Sequence, residues 1–371
     1  MSSLDQVMSI LRSALFDEPY SAGNGNENDL LNELDSQAVL SLIQPILKSV
    51  NLTDKQYEER KRKILQCVAN NSRVARAEKE VSELFEKNNM PNVILKGTSY
   101  AQYYPNPVLR MRGDVDVLVD ENDFEAASAL LVSNGYVCAC DPKRDKRHIE
   151  YFKNGLEVEL HHYFSFDDKQ SVFFNVTKLD RIYDGLPCFR PAENGMSMLL
   201  HLKYHLGKIG LRHYIDWLMY VQKVCDDAFW NTQFQRFADQ FQVTDLAKAL
   251  TKAGKRYFPL QEITWCDDVE DALCDDLLNE LFESGNFSAH TMRKKMVFIS
   301  NSSKNLFFWL KVLSRRGVKN WEPAQKHKIL VPVAFFRQAY LYVKRYFQED
   351  GFNLKILKQF GKKRSSVNKN K

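Results

Sequence analysis

Hydrophobic positions along this chain change period at identifiable points, and each change marks an element. From Asp54 to Lys87 a stripe of Ile64, Val68, Val74, Val81, Leu84 and Phe85 runs through charged residues at helical spacing, which predicts one long helix or two. Val93-Ile94-Leu95 is a short apolar run that predicts a buried strand, leading through Lys96-Gly97 into a short helix at about Ser99 to Tyr104. Between Asp114 and Val119 the period falls to two, so Asp114 and Asp116 share one face of a strand while Val115, Val117 and Val119 share the other. Asn122 to Asn134 returns to helical spacing with Phe124, Ala127, Leu130 and Leu131 on one side, and Gly135 closes it. Val137 to Cys140 alternates as a strand. Gly155 to His161 alternates apolar with acidic residues, a strand with Glu157, Glu159 and His161 on one face. After Pro191 the pattern is helical almost throughout. This order predicts an α+β fold, a small mixed β-sheet with helices on one face, flanked by helical N-terminal and C-terminal regions. The expected divisions are a helical N-terminal extension over 1–53, a sheet-containing core with its leading helices over 54–190, a helical domain over 191–355 and a basic tail over 356–371.

Composition narrows the class without choosing the chemistry. A chain of 371 residues with 44% hydrophobic content and net charge +5 has room for two or three packed units. It has no apolar run near the ~20 residues a membrane helix needs, and Met1 to Gln6 lacks the basic-then-apolar order of a secretory signal. Seven scattered cysteines form no disulfide framework, and the expectation is a reducing, cytoplasmic setting. Cys138 and Cys140 read as core thiols, since no second pair follows at zinc-finger spacing. Lys358, Lys362, Lys363, Arg364, Lys369 and Lys371 make a basic end without aromatic interleaving in the last residues. That reads as a solvated tail, so contact with nucleic acid is not favoured and no membrane partner is expected.

Asp114 and Asp116 carry the sharpest chemical signal. Two carboxylates about 4 Å apart repel by roughly 4 kcal/mol at an effective dielectric near 20, and a cation between them removes that cost. Magnesium, held by one or two carboxylates plus substrate phosphates, suits such a pair. Upstream, a strand followed by a glycine and hydroxyl residues opening a helix resembles an anion site, with free N–H groups aimed at a phosphate. Downstream, Glu157 or Glu159 adds a third carboxylate if its strand lies beside that of Asp116. His201 and His205, four apart on a helix, read as polar packing rather than a metal site. Arg212 either pairs with Asp216 along the same helix or lines the cleft, where a guanidinium meets phosphate with two parallel hydrogen bonds.

Gly97-Thr98-Ser99, Asp114-x-Asp116 and Glu159 together resemble the pattern of the DNA-polymerase-beta-like nucleotidyltransferase superfamily. More closely, Leu95-Lys96-Gly97, Tyr103-Tyr104-Pro105, the run Arg110 to Val119, Gly135-Tyr136 and Val158-Glu159-Leu160-His161 resemble a bacterial family of uncharacterised nucleotidyltransferases, over roughly residues 60–225. Thr98 stands where many members of the wider superfamily carry Gly or Ser. The resemblance implies transfer of a nucleoside monophosphate from a nucleoside triphosphate (NTP) to an acceptor hydroxyl, with release of pyrophosphate. It implies two Mg²⁺ ions, with Mn²⁺ as a substitute. Asp114 and Asp116 would bridge both, and Glu159 would join the ion that activates the acceptor. It implies phosphate contacts from Lys96, Gly97, Thr98, Ser99, Arg112 and Arg212, with Arg110 a further candidate. A small-molecule or saccharide acceptor is favoured. The alternatives are a non-catalytic descendant that binds nucleotide or protein, and an RNA-modifying, toxin-like transferase.

Overall fold

A computed structural model describes residues 3–21, 26–138, 148–164, 173–177, 179–181, 185–206, 209–285, 323 and 330–337. The chain divides into a unit of Met1–His290 and a unit of Thr291–Lys371. Cys140, most of the Ser21 to Asn26 loop and the basic tail lie outside the described residues.

The first unit opens with α1 (Ser3–Phe16), α2 (Glu27–Ser36) and a 3-10 stretch, Leu40–Ser49. Thr53 then starts a single helix, α3 (Asp54–Lys87), through a capping box. The Thr53 hydroxyl accepts from the Gln56 N–H while the Gln56 side chain accepts from the Thr53 N–H, which satisfies two of the orphan donors of a helix start. The stripe seen in the sequence buries Ile64, Val74, Val81 and Phe85.

A five-stranded sheet follows. It contains β1 (Asn92–Leu95), β2 (Val115–Val119), β3 (Val137–Cys138), β4 (His148–Lys153) and β5 (Leu156–His161), in the order β1-β2-β5-β4-β3. Among the described residues, only the β2–β5 pairing is parallel. Between strands lie α4 (Gly97–Ala101) and α5 (Phe124–Ser133), the latter ending where the Gly135 and Tyr136 N–H groups return to Val132 and Leu131 carbonyls. β4 and β5 form a hairpin over Asn154-Gly155, both at positive φ (53° and 70°), the backbone of a two-residue type I′ turn that suits this residue pair.

One sheet face is the core. Val74, Ala77, Val81 and Phe85 of α3 and Ala127 and Leu131 of α5 pack on Val115, Val117, Val119, Val158 and Leu160. Period two then sends Asp116 and Glu159 to the opposite face. A two-stranded sheet, β6 (Leu179–Arg181) with β7 (Pro187–Phe189), leads into α6 (Pro191–His205) and α7 (Leu211–Lys223). Helical turns over 227–240, then α8 (Thr244–Tyr257) and α9 (Asp271–Ser284), complete what is described of this unit. The protein is thus a mixed sheet with helical segments at both ends, as expected. No helix among the described residues is long and apolar enough to cross a membrane.

Candidate active site

Strand register assembles the carboxylates. β2 and β5 run parallel with Asp116 opposite Glu159, so side chains 43 positions apart in sequence become direct neighbours on one face. One oxygen from each of Asp114, Asp116 and Glu159 lies within 4.8 Å of the others, an all-oxygen set of the kind that holds a hard divalent cation. Glu157 stands one pleat away, opposite Phe152 of β4.

Their electrostatics differ by neighbour. The Asp116 charge, with burial, pushes the Asp114 carboxyl up. Burial alone would raise Asp116 too, but Lys96 and then His161 hold it well below the ordinary aspartate range. Lys96 Nζ donates to Asp116 Oδ1 at 2.7 Å, and His161 Nε2 lies 3.1 Å from the same oxygen and 3.0 Å from Glu159 Oε2. Burial would lower Lys96; the charges of Asp116, Asp114 and Glu159 instead raise it. The Lys96 ammonium therefore offsets part of the carboxylate charge here. Lys96 occupies this place with φ of +50°, a conformation that L residues rarely adopt and that the turn into α4 imposes.

The Gly97-Thr98-Ser99 segment faces differently from the sequence expectation. Glu78 of α3, fully buried, accepts from the Thr98 N–H at 3.0 Å and from the Thr98 hydroxyl. Ser99 donates to Asn194 of α6 at 3.0 Å. Both hydroxyls thus point to protein partners rather than into the carboxylate cleft. Gly97 is required by the same contact, because a Cβ there would fall 1.7 Å from Glu78 Oε1. Arg112, a phosphate candidate, is drawn into this network, donating to Thr98 Oγ1 at 2.5 Å and lying 3.5 Å from Glu78. The strand begins only at Val115, so neither Arg110 nor Arg112 follows its alternation.

Arg110, not Arg212, is the partner of Asp216. It grips both carboxylate oxygens at 2.6 and 2.8 Å, and Tyr104 donates to Oδ1 at 2.7 Å. With Asp216 taken, Arg212 is left half-buried at the cleft that Lys96, Gly97 and Asp114 line, its Nε without a partner among the described residues. Burial, aided by the charge of Arg110, pushes its guanidinium pKa down. His201 and His213 line the same cleft, and burial keeps both well below the ordinary imidazole range, hence neutral near pH 7. The His201 and His205 rings pack edge to face at 4.8 Å.

The sequence reading missed Glu78, Asn194 and His148. Glu78 and Asn194 have no local signal, since their partners lie 20 and 95 residues away. His148 had one: counting back through the Asn154-Gly155 turn places it opposite His161.

No curated protein matches the chain. Among solved structures, the solution structure of the antibiotic-resistance factor ANT(2'')-Ia aligns with 8% identity and a TM-score of 0.35, covering 45% of this chain and 92% of that one. The pattern of the family described as "Uncharacterised nucleotidyltransferase" matches residues 24–259, beyond both ends of the resemblance read from the motifs. With that match spanning more than half of the chain, the protein belongs to this nucleotidyltransferase family and is a transferase.

Proposed function

We propose that the enzyme transfers a nucleoside monophosphate from an NTP to the hydroxyl of a small acceptor, of the saccharide class first, and releases pyrophosphate. The observation that carries this reading is the convergence of Asp114, Asp116 and Glu159 beside two cations, Lys96 and Arg212. The oxygen donor set fits Mg²⁺, with Mn²⁺ as a substitute, and two such ions would supply charge neutralisation at the triphosphate and a lowered pKa for the acceptor hydroxyl. Asp114, Asp116 and Glu159 would hold the metal, and Glu159, its carboxylate oriented by His161, would accept the acceptor's hydroxyl proton.

Arg212 has its fork free of Asp216 and receives the phosphates. Lys96, a flexible point charge, moves from Asp116 to the phosphate oxygens when the carboxylates are otherwise neutralised. Gly97 offers close backbone approach at the cleft wall, whereas Thr98, Ser99 and Arg112 act behind it by holding the turn. Because Arg110 and Arg112 are consumed by Asp216 and Glu78, the cations left beside the carboxylates suit one triphosphate better than a nucleic-acid backbone. This supports a small acceptor over RNA.

Calorimetry with each of the four triphosphates and Mg²⁺ tests the reading, on the wild type and on the Asp114→Asn, Asp116→Asn double variant. Metal-dependent binding of a triphosphate that the double variant loses is the expected result, and that labelled nucleotide then serves to screen saccharide and other hydroxyl acceptors. Equal binding by the double variant, or none by the wild type, would overturn it.

A further inference from the structure

The face that carries the acidic triad continues across the hairpin. β4 and β5 pair with His148 opposite His161 and Glu150 opposite Glu159, so all four side chains project from the side of the sheet that bears Asp116. The two imidazole rings lie 4.8 Å apart between centroids. His148 Nε2 is 3.9 Å from Glu159 Oε1, while His161 Nε2 is 3.0 Å from Glu159 Oε2. The ligand atoms of His148, Glu159 and His161 all fall within 4.8 Å of one another.

We propose that these three residues form a second cation site, one for a first-row transition ion of the Zn²⁺ or Co²⁺ type rather than for magnesium. The donor set differs in kind from the triad beside it. Two imidazole nitrogens with one carboxylate is a set that such ions prefer, whereas Mg²⁺ favours oxygen alone. Its spacing also fits. Bonds of about 2.1 Å put tetrahedral ligand atoms about 3.4 Å apart, a value between the two separations observed here. His161 Nε2 additionally meets Asp116 Oδ1 at 3.1 Å. Two carboxylate oxygens therefore converge on one ring nitrogen, an arrangement that one N–H satisfies poorly and a cation satisfies well. His161 Nδ1 is buried without a partner among the described residues, so the ring is engaged only on the side of the site. Three protein ligands leave a position for water or a substrate atom, and Glu150, the most exposed of the four at 42%, borders it.

Glu159 belongs to both sets and offers each histidine a different oxygen. An ion held by the histidines consequently competes with magnesium for the third carboxylate, which makes the site a point where transition ions restrain the transferase. The binding itself does not depend on nucleotide, so it can be tested even if the proposed transfer reaction is wrong.

The test is a Co²⁺ titration of the full chain, read by visible absorption, without nucleotide and in millimolar Mg²⁺ so that the oxygen triad is supplied. The wild type should bind one Co²⁺ per chain with the intense bands of a low-coordinate site. His148→Gln and His161→Gln should each weaken it at least about tenfold. Asp114→Asn, which removes a ligand of the competing oxygen set only, should not weaken it. Circular dichroism checks that the variants fold; should His161→Gln fail to, His148→Gln alone decides. Absence of Co²⁺ binding by the wild type, unchanged binding by folded His148→Gln, or loss in Asp114→Asn equal to that in His148→Gln would overturn the proposal.

Discussion

Asp116 is the residue on which the charges of this site converge, because Lys96 and His161 meet on its Oδ1. Asp114 lies just before β2 and lacks that support, and the two should respond differently to neutralisation. Asp114→Asn relieves repulsion and should leave the melting temperature unchanged or slightly raised, while Asp116→Asn breaks a buried pair and should cost about 1–3 kcal/mol. Both should abolish turnover. The sign with pH follows from the depressed carboxyl of Asp116: its contribution is present above the ordinary aspartate value of 3.8 and is lost as pH falls through the folded-state value. Thermal melts between about pH 5 and pH 2 should therefore show a steeper acid loss in the wild type than in Asp116→Asn. A second contrast concerns two arginines. Arg110→Ala strands buried Asp216 and should destabilise by about 3–5 kcal/mol, whereas Arg212→Ala should leave stability within about 1 kcal/mol and weaken triphosphate binding at least tenfold, since a charge-assisted bond carries about 1.5–3 kcal/mol. Denaturant melts beside calorimetry separate the outcomes; similar melts for the two variants would refute the assignment of their partners.

At the scale of elements, the turn between β1 and α4 is held from two sides. α3 contributes Glu78 beneath Thr98, and α6 contributes Asn194, whose amide donates to the Ser99 carbonyl at 3.1 Å and the Tyr103 hydroxyl at 3.0 Å and whose oxygen accepts from Ser99. Asn194→Ala would leave several buried polar groups without partners and should cost about 2–3 kcal/mol. If α6 positions the Lys96 turn for phosphate, the same variant should raise the KM for NTP more than it lowers kcat, which steady-state kinetics at graded NTP will show. The elements themselves were largely legible. The α3 stripe, the Val115 to Val119 strand and the Gly135 helix end each rest on local periodicity or a local backbone demand. The roles of Thr98 and Ser99 were not, because a glycine followed by hydroxyls reads alike whether a phosphate or a buried glutamate fills the turn.

The molecule as a whole divides after His290, and the family match ends earlier, at residue 259. A chain ended at His290 should fold with a single cooperative transition and bind NTP with Mg²⁺ within about threefold of the full chain; calorimetry on both checks this, and loss of binding would mean that later residues complete the site. Sequence alone determined most of the helices and the strands about Val93, Asp116 and Glu159, though not β4, β6 or β7, and that Asp116 opposes a row of valines, since a period of two is a property of neighbouring residues. It also carried the family, through the order and spacing of its motifs. Tertiary structure alone decided partners. That Asp116 meets Glu159 depends on parallel pairing of β2 with β5, and that Asp216 takes Arg110 rather than Arg212 depends on α7 lying against the segment before β2. Glu78 reaches Thr98 only because α3 crosses beneath the turn. Such contacts form when distant segments close on one another, and the free energy that selects them, burial set against unpaired charge, belongs to the packed chain and to no local stretch of it.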